Sequence, residues 1–239
     1  MRICLHYRKL LAGILALQFG LVLVALPQGL RLKRRNLMEN INIPLNPLLF
    51  GITQWQVGES SKYKVTLFHP DYLEVFQLTF SVVGAEAGAS SAQLFWLETD
   101  VQPLNSSLER VVNKILRPFG DLTRFTDGAV GDLLSQVGEN PPIAVPVSML
   151  NLPDQRAKKW THVDLGPGEV RVVAGNFKIH RQRFIDPEEN SADVFSDSRV
   201  GPVGIIKVSS KRWNLELLGH EAKGSVSAIF GKPVQLVNP

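Results

Sequence analysis

The chain has 239 residues, 44% of them hydrophobic and 20% charged, with a formal net charge of +4. This excludes a disordered chain, which would be polar and charge-rich, and a polytopic membrane protein, because there is a single long apolar run. The charge is lopsided: residues 1–36 hold seven Lys and Arg and no acid, which leaves 19 basic against 22 acidic residues, net −3, in 37–239. The basic isoelectric point belongs to the head, so no nucleic-acid partner is expected.

In that head, Arg2, Arg8 and Lys9 precede the uncharged apolar stretch Leu10–Leu26, and Arg31-Leu32-Lys33-Arg34-Arg35 follows. A basic segment before an apolar one is the layout of an export signal. No clean A-x-A cleavage site follows Ala25, and residues 10–30 are long enough to span a bilayer as a helix. Residues 1–36 therefore read as a signal peptide or signal anchor, 37–56 as a linker, and 57–239 as one β-rich domain. The expected location is the periplasm, or the inner membrane facing it, with residues 10–30 as the membrane contact if they are retained. The one cysteine, Cys4, lies in the head, so the body has no internal disulfide and no thiolate ligand.

The body opens with alternation. Tyr63, Val65 and Leu67 alternate with Lys62, Lys64 and Thr66, and Phe76, Leu78, Phe80 and Val82 with Gln77, Thr79 and Ser81. Alternation of this kind marks half-buried strands, with His69-Pro70-Asp71 as the turn of a hairpin. Ala92–Thr99 is a third strand, after a turn at 84–88. The period then changes. Leu108, Val111, Val112, Ile115 and Leu116 fit one face of a helix, with Ser106 and Glu109 as a capping box. Val130, Leu133, Leu134 and Val137 suggest a second short helix over 128–137, capped by Asp127.

Strands return after Gly166-Pro167-Gly168, which reads as a turn. Glu169–Val173 and Phe177–Arg183 flank Ala174-Gly175, where a phase change suggests a β-bulge. Residues 186–198 read as a solvated hairpin loop. Val203–Ser209, Arg212–Leu218 and Ser225–Phe230 complete the set. The expected fold is mainly β: a curved antiparallel sheet, half-barrel or open barrel, with one or two short covering helices.

Val57-Gly58-Glu59 with Tyr63 and Val65, Ala174-Gly175-Asn176-Phe177, Phe195-Ser196, Val200-Gly201-Pro202-Val203-Gly204-Ile205-Ile206-Lys207, Leu217-Leu218-Gly219-His220 and Ala228-Ile229 follow one another in an order that resembles uncharacterised exported bacterial β-rich proteins. They distantly resemble the half-barrel envelope carriers, of which the lipoprotein-localisation carriers are the known members. The resemblance implies an apolar cavity that holds acyl chains under a helical lid. Its motifs are turn glycines and strand residues, and no functional residue carries over.

Chemistry-bearing motifs are sparse. There is no H-E-x-x-H and no G-x-S-x-G. Two residues apart on an extended segment, His162 and Asp164 would share one side and, with His180 or His220, could ligate a metal for a hydrolase; surface histidines explain them as well. No catalytic residue, metal or cofactor is expected. Candidate lining residues for an apolar ligand, a lipid or acyl chain, are Phe76, Leu78, Phe80, Trp96, Val111, Ile115, Trp213 and Leu215. Lys178, Arg181 and Arg183 are candidates for an anionic headgroup. The alternative is a membrane-anchored structural or interaction protein with a packed core, presenting loops at 186–200 to another envelope protein.

Overall fold

A computed structural model describes residues 45–68, 70–88, 92–120, 128–146, 161–186 and 188–235. The head, the segment 37–44, His69, Asp127 and Trp160 lie outside the described residues. Among the described residues no helix is long and apolar enough to cross a membrane.

The strands are β1 Ser60–Phe68, β2 Leu73–Ala87, β3 Gln93–Pro103, β4 Val111–Pro118, β5 Val130–Val137 and β6 Ile143–Pro146, followed by β7 Thr161–Val172, β8 Gly175–Ile185, β9 Ser191–Ser196, β10 Ile205–Ser210, β11 Trp213–Glu221 and β12 Val234–Gln235. They form one open sheet of twelve strands in the order β12-β6-β5-β4-β3-β2-β1-β11-β10-β9-β8-β7. Every neighbouring pair is antiparallel except β12 with β6. β1 therefore closes two meanders, pairing with its sequence neighbour β2 on one side and with the distant β11 on the other.

Alternation builds this sheet where one face meets water. In β1, Tyr63, Val65 and Leu67 are buried and Lys62 and Lys64 exposed. Together with Leu215 and Leu217 of β11 and Phe76 of β2 they make an inner face. That face packs on the stretch just before β1, expected as part of a linker. A 3-10 turn, Pro47–Phe50, is capped by the Asn46 side chain and stopped by Gly51 at φ +79. Phe50, Ile52 and Trp55 then enter the core.

Trp55 shows how the sheet bends. Its ring meets Phe95 of β3 edge-on at 5.6 Å and Phe119 at 4.9 Å, while Nε1 donates to Pro202 O at 3.0 Å. In a flat sheet β3 and β10 would lie about 19 Å apart, four spacings of about 4.8 Å, further than one indole reaches. The sheet, with its β9–β10 connection, bends round the Trp55 segment.

The outer face is crossed by a strap. After β11 the chain runs from Ser225, whose N–H meets Gly58 O at 2.9 Å, to Val234, whose N–H meets Pro142 O at 2.8 Å. Between them Glu98 of β3 accepts from Ser227 Oγ at 2.6 Å and Ala228 N–H at 2.8 Å, and Gln136 of β5 accepts from Phe230 N–H at 3.1 Å. The expected strand Ser225–Phe230 is this strap instead.

The two expected covering helices are strands β4 and β5. The pairs Val111-Val112 and Ile115-Leu116 are buried on both faces of β4, because the core lies inside and the strap lies outside. Two-faced burial erases the period of two and imitates a helical stripe. The β-branched Val, Val and Ile favour the strand. Three further expectations change. Val172 pairs with Gly175, so Val173-Ala174 is a two-residue hairpin turn and not a bulge. Gly166-Pro167-Gly168 lies within β7, where the register shifts between Asp164 and Gly166. Strand β9 occupies 191–196 of the expected solvated loop.

Candidate functional site

The register aligns the inner face into transverse rows. One row runs Leu217, Tyr63, Leu78, Val101, Val111 and Val137 across β11, β1, β2, β3, β4 and β5. The next, two residues along each strand but three along β11, where the register shifts, runs His220, Ser61, Phe80, Thr99, Asn113 and Ser135. Beyond it lie Val82, Leu97 and Ile115, then Leu133 paired with Val145. A band that is polar except at Phe80 thus lies between two apolar rows. Most of this face is buried, but Leu78, Thr99 and Val137 are half-buried and His220 is exposed, so that the band is partly open at Thr99 of β3.

Seven of the eight candidate lining residues share this face. Phe76, Phe80, Val111, Ile115, Trp213 and Leu215 belong to the buried core, and Leu78 packs against it. Trp96 lies on the other face. Its Nε1 donates to Glu86 at 2.7 Å, and Lys114 Nζ sits 5.0 Å over its ring. Gly84 makes room for it, since a β-carbon there would stand only 3.3 Å from the indole.

The basic trio is exposed along β8, where the residues that reach the core change from odd-numbered Ile179, beside Lys178, to even-numbered Phe184, beside Arg183. Arg183 makes a forked ion pair with Asp193, at 2.6 and 3.0 Å, which raises the guanidinium further above its usual range. Among the described residues, neither Lys178 nor Arg181 forms an ion pair.

The histidines do not gather. His162 stacks on Phe184 at 6.0 Å, His180 Nε2 lies 3.0 Å from Asp164, and His220 meets Phe177 edge-on at 6.2 Å. Among the described residues no three His, Cys, Asp or Glu side chains converge as a metal would need.

One carboxylate that the sequence offers only as a motif residue, Glu59, is buried just before β1. Glu59 is buried beside Gly201, and burial pushes its carboxyl up, partly offset by the Gln56 N–H that donates to Oε1 at 2.9 Å. Next to it Ser61 Oγ donates to Gly201 O, and Tyr63 donates to Ile205 O at 3.0 Å. Burial also raises the Tyr63 phenol. On the far side Arg199 forks onto Asp197 and holds that carboxyl below its usual value. Thr99, Asn113 and Ser135 were missed. Asn113 sat on the polar side of an expected helix, where it carried no signal.

No protein-family model matches the sequence, and no curated protein does. Among solved structures, a Bacteroides fragilis NCTC 9343 protein described as exported, with a YMCC-like fold, is 9% identical over 70% of this chain and 96% of its own, with a TM-score of 0.36. A Parabacteroides distasonis ATCC 8503 protein described as a lipoprotein is 10% identical over 72% of this chain and 98% of its own, with a TM-score of 0.32.

Proposed function

We propose that this chain is a non-catalytic protein of the bacterial envelope whose inner sheet face takes an apolar or amphipathic ligand, such as a lipid or acyl chain. The observation that carries this reading is the layered inner face. Apolar rows suit a hydrocarbon chain, the polar band between them suits its polar end, and half-buried Leu78, Thr99 and Val137 mark the way in. Export rests on the basic and apolar head and on the cysteine-free body. A retained head would tether the sheet at the inner membrane, facing the periplasm. Arg181 and Lys178 are the proposed contacts for anionic headgroups, Arg183 being engaged by Asp193.

The test uses residues 37–239, which contain the whole sheet and every contact described above. Protein purified without detergent is extracted for lipid analysis and examined by native mass spectrometry. A reproducible bound amphiphile supports the reading. An empty protein that also fails to take up an apolar fluorophore sinks it.

A second reading has its own observation. Phe68, Tyr72, Leu73 and Leu104 are 37%, 50%, 55% and 50% exposed at one end of the sheet. Phe68 pairs with Leu73, and the Asn105 side chain bridges Val75 N–H and Leu73 O at 2.8 and 2.9 Å, holding Leu104 beside them. Such an apolar tip suits an envelope protein partner, and an interaction protein with a packed core would use it. Replacing all four by Ser would then abolish partner capture and leave ligand content unchanged.

A further inference from the structure

Asn113 and Ser135 face each other across β4 and β5 in the polar band. They are 4% and 1% exposed. Among the described residues, neither Asn113 Oδ1 nor Ser135 Oγ has a hydrogen-bond partner. Buried polar atoms are almost always paired, and an orphan pair on one face is a standing cost to the empty fold. Position argues against accident. Thr99 is the next member of the row and is half-buried, so a molecule entering there meets the pair next. Val111 and Ile115 flank Asn113 on the same side of β4, so hydrocarbon would run past the pair on either side.

The atoms also state what they want. An amide oxygen only accepts, and a hydroxyl accepts or donates. The band near them carries no cation: its members on β3, β4 and β5 are Thr99, Asn113 and Ser135. Arg117 stands on the same face of β4, four residues and about 13 Å further along. A carboxylate or phosphate placed at the pair would be desolvated with no charge beside it.

We infer that Asn113 and Ser135 form the recognition point for the polar end of the ligand, and that this end is an uncharged hydrogen-bond donor, a hydroxyl or an amide N–H. The inference rests on the ligand-binding reading above and names the class of molecule that reading leaves open.

The experiment compares three probes on residues 37–239: decanol, its methyl ether, which cannot donate, and decanoate. Binding is read by displacement of an apolar fluorophore, for wild type, Ser135→Ala, and Asn113→Leu combined with Ser135→Ala. Wild type should prefer decanol to both other probes by about tenfold, the worth of one or two net hydrogen bonds. The double variant should lose that preference, keep its affinity for the ether, and melt at a higher temperature because both orphan atoms of the pair are gone. Ser135→Ala alone, the milder change, should lose about threefold and covers the case in which the double variant does not fold. Equal binding of decanol and ether by wild type overturns the inference and leaves the ligand reading standing. A higher melting point in the variant without any preference in wild type assigns the pair to a structural water and equally overturns it. Failure of wild type to bind any probe sinks the ligand reading itself, and the inference with it.

Discussion

The Glu59 carboxylate occupies the space that a β-carbon on Gly201 would fill. Around this contact the stretch before β1 is sewn to the β9–β10 connection. Gln56 N–H donates to Glu59, Ser61 donates to Gly201 O, and Trp55 donates to Pro202 O. Gly201 is therefore glycine for want of room, since it is not among the glycines with positive φ. Gly201→Ala must push a buried carboxylate off its seat. It should destabilise the protein by about 1–3 kcal/mol, as overpacking does. In urea this should lower the midpoint with the slope unchanged. An unshifted midpoint would mean that Glu59 swings aside freely.

The same carboxylate sets a pH dependence. Burial raises its pKa in the folded protein. A raised carboxyl contributes stability that is full below the unfolded value and lost as pH rises through the folded one. The melting temperature should therefore fall as pH climbs above 4.5, the ordinary value for this group. Glu59→Gln keeps an acceptor for the Gln56 N–H and should flatten that slope. Asp197 works in the other direction. Arg199 lowers its pKa, so its contribution is present above the unfolded value of 3.8 and is lost as pH falls through the folded one. The two windows do not overlap, and Asp197→Asn should leave the Glu59 slope intact.

Strands that face water on one side were legible. Lys62-Tyr63-Lys64-Val65 announces its period of two, and β1, β2, β8 and β11 follow from such patterns. The strands under the strap were not. Val111-Val112 and Ile115-Leu116 are buried on both sides, and the cause lies more than a hundred residues later, in Ser227 and Phe230. No local window contains that information. Phe76, Leu78, Phe80, Trp213 and Leu215 were legible on the inner face for the same reason as the strands, whereas Val111 and Ile115 reach it from a strand that reads as a helix, and Trp96 is turned outward by the alternation of β3, in which Phe95 and Leu97 point in. The polar band was illegible because Asn113 and Ser135 become neighbours only through pairing.

The strap itself hangs on few bonds. Glu98 holds both Ser227 and Ala228, while Val226 and Phe230 are 79% and 56% exposed and add little burial. Glu98→Ala should release the middle of the strap. Hydrogen exchange at Ala228 and Phe230 should rise by about tenfold or more, the net worth of a charge-assisted hydrogen bond, while β1 and β2 stay protected. Equal protection in the variant would show that β12 and the Ser225 bond suffice to hold it.

Trp55 is the centre of the bend. It is 3% exposed, touches Phe95 and Phe119, and satisfies its one donor on Pro202. Trp55→Phe keeps most of the apolar volume and leaves Pro202 O unbonded, at a cost of about 1–2 kcal/mol. Trp55→Ala opens a cavity where the strands converge and should cost about 3–5 kcal/mol. Chemical denaturation of the two variants separates the hydrogen bond from the packing. Similar losses in both would mean that the sheet closes over the gap.

The outer face of β8 offers a charge test that leaves the core alone. Asp193 takes up Arg183 through two hydrogen bonds, so Arg183 adds little to the field seen by an anionic surface. Arg181, on the same face and opposite Phe195, has no such partner among the described residues. If this face meets lipid headgroups, Arg181→Ala should weaken co-sedimentation with vesicles of phosphatidylcholine and phosphatidylglycerol. Asp193→Asn should strengthen it by releasing Arg183 and removing a negative charge. Both effects should fade as salt is added, because exposed charges are screened within about 10 Å at 0.1 M. Neutral phosphatidylcholine vesicles should not distinguish the variants from wild type. If Arg181→Ala and Asp193→Asn bind the anionic vesicles as wild type does, β8 is not the headgroup contact. The attraction to membranes then rests on the basic head, whose seven Lys and Arg carry the whole positive excess of the chain.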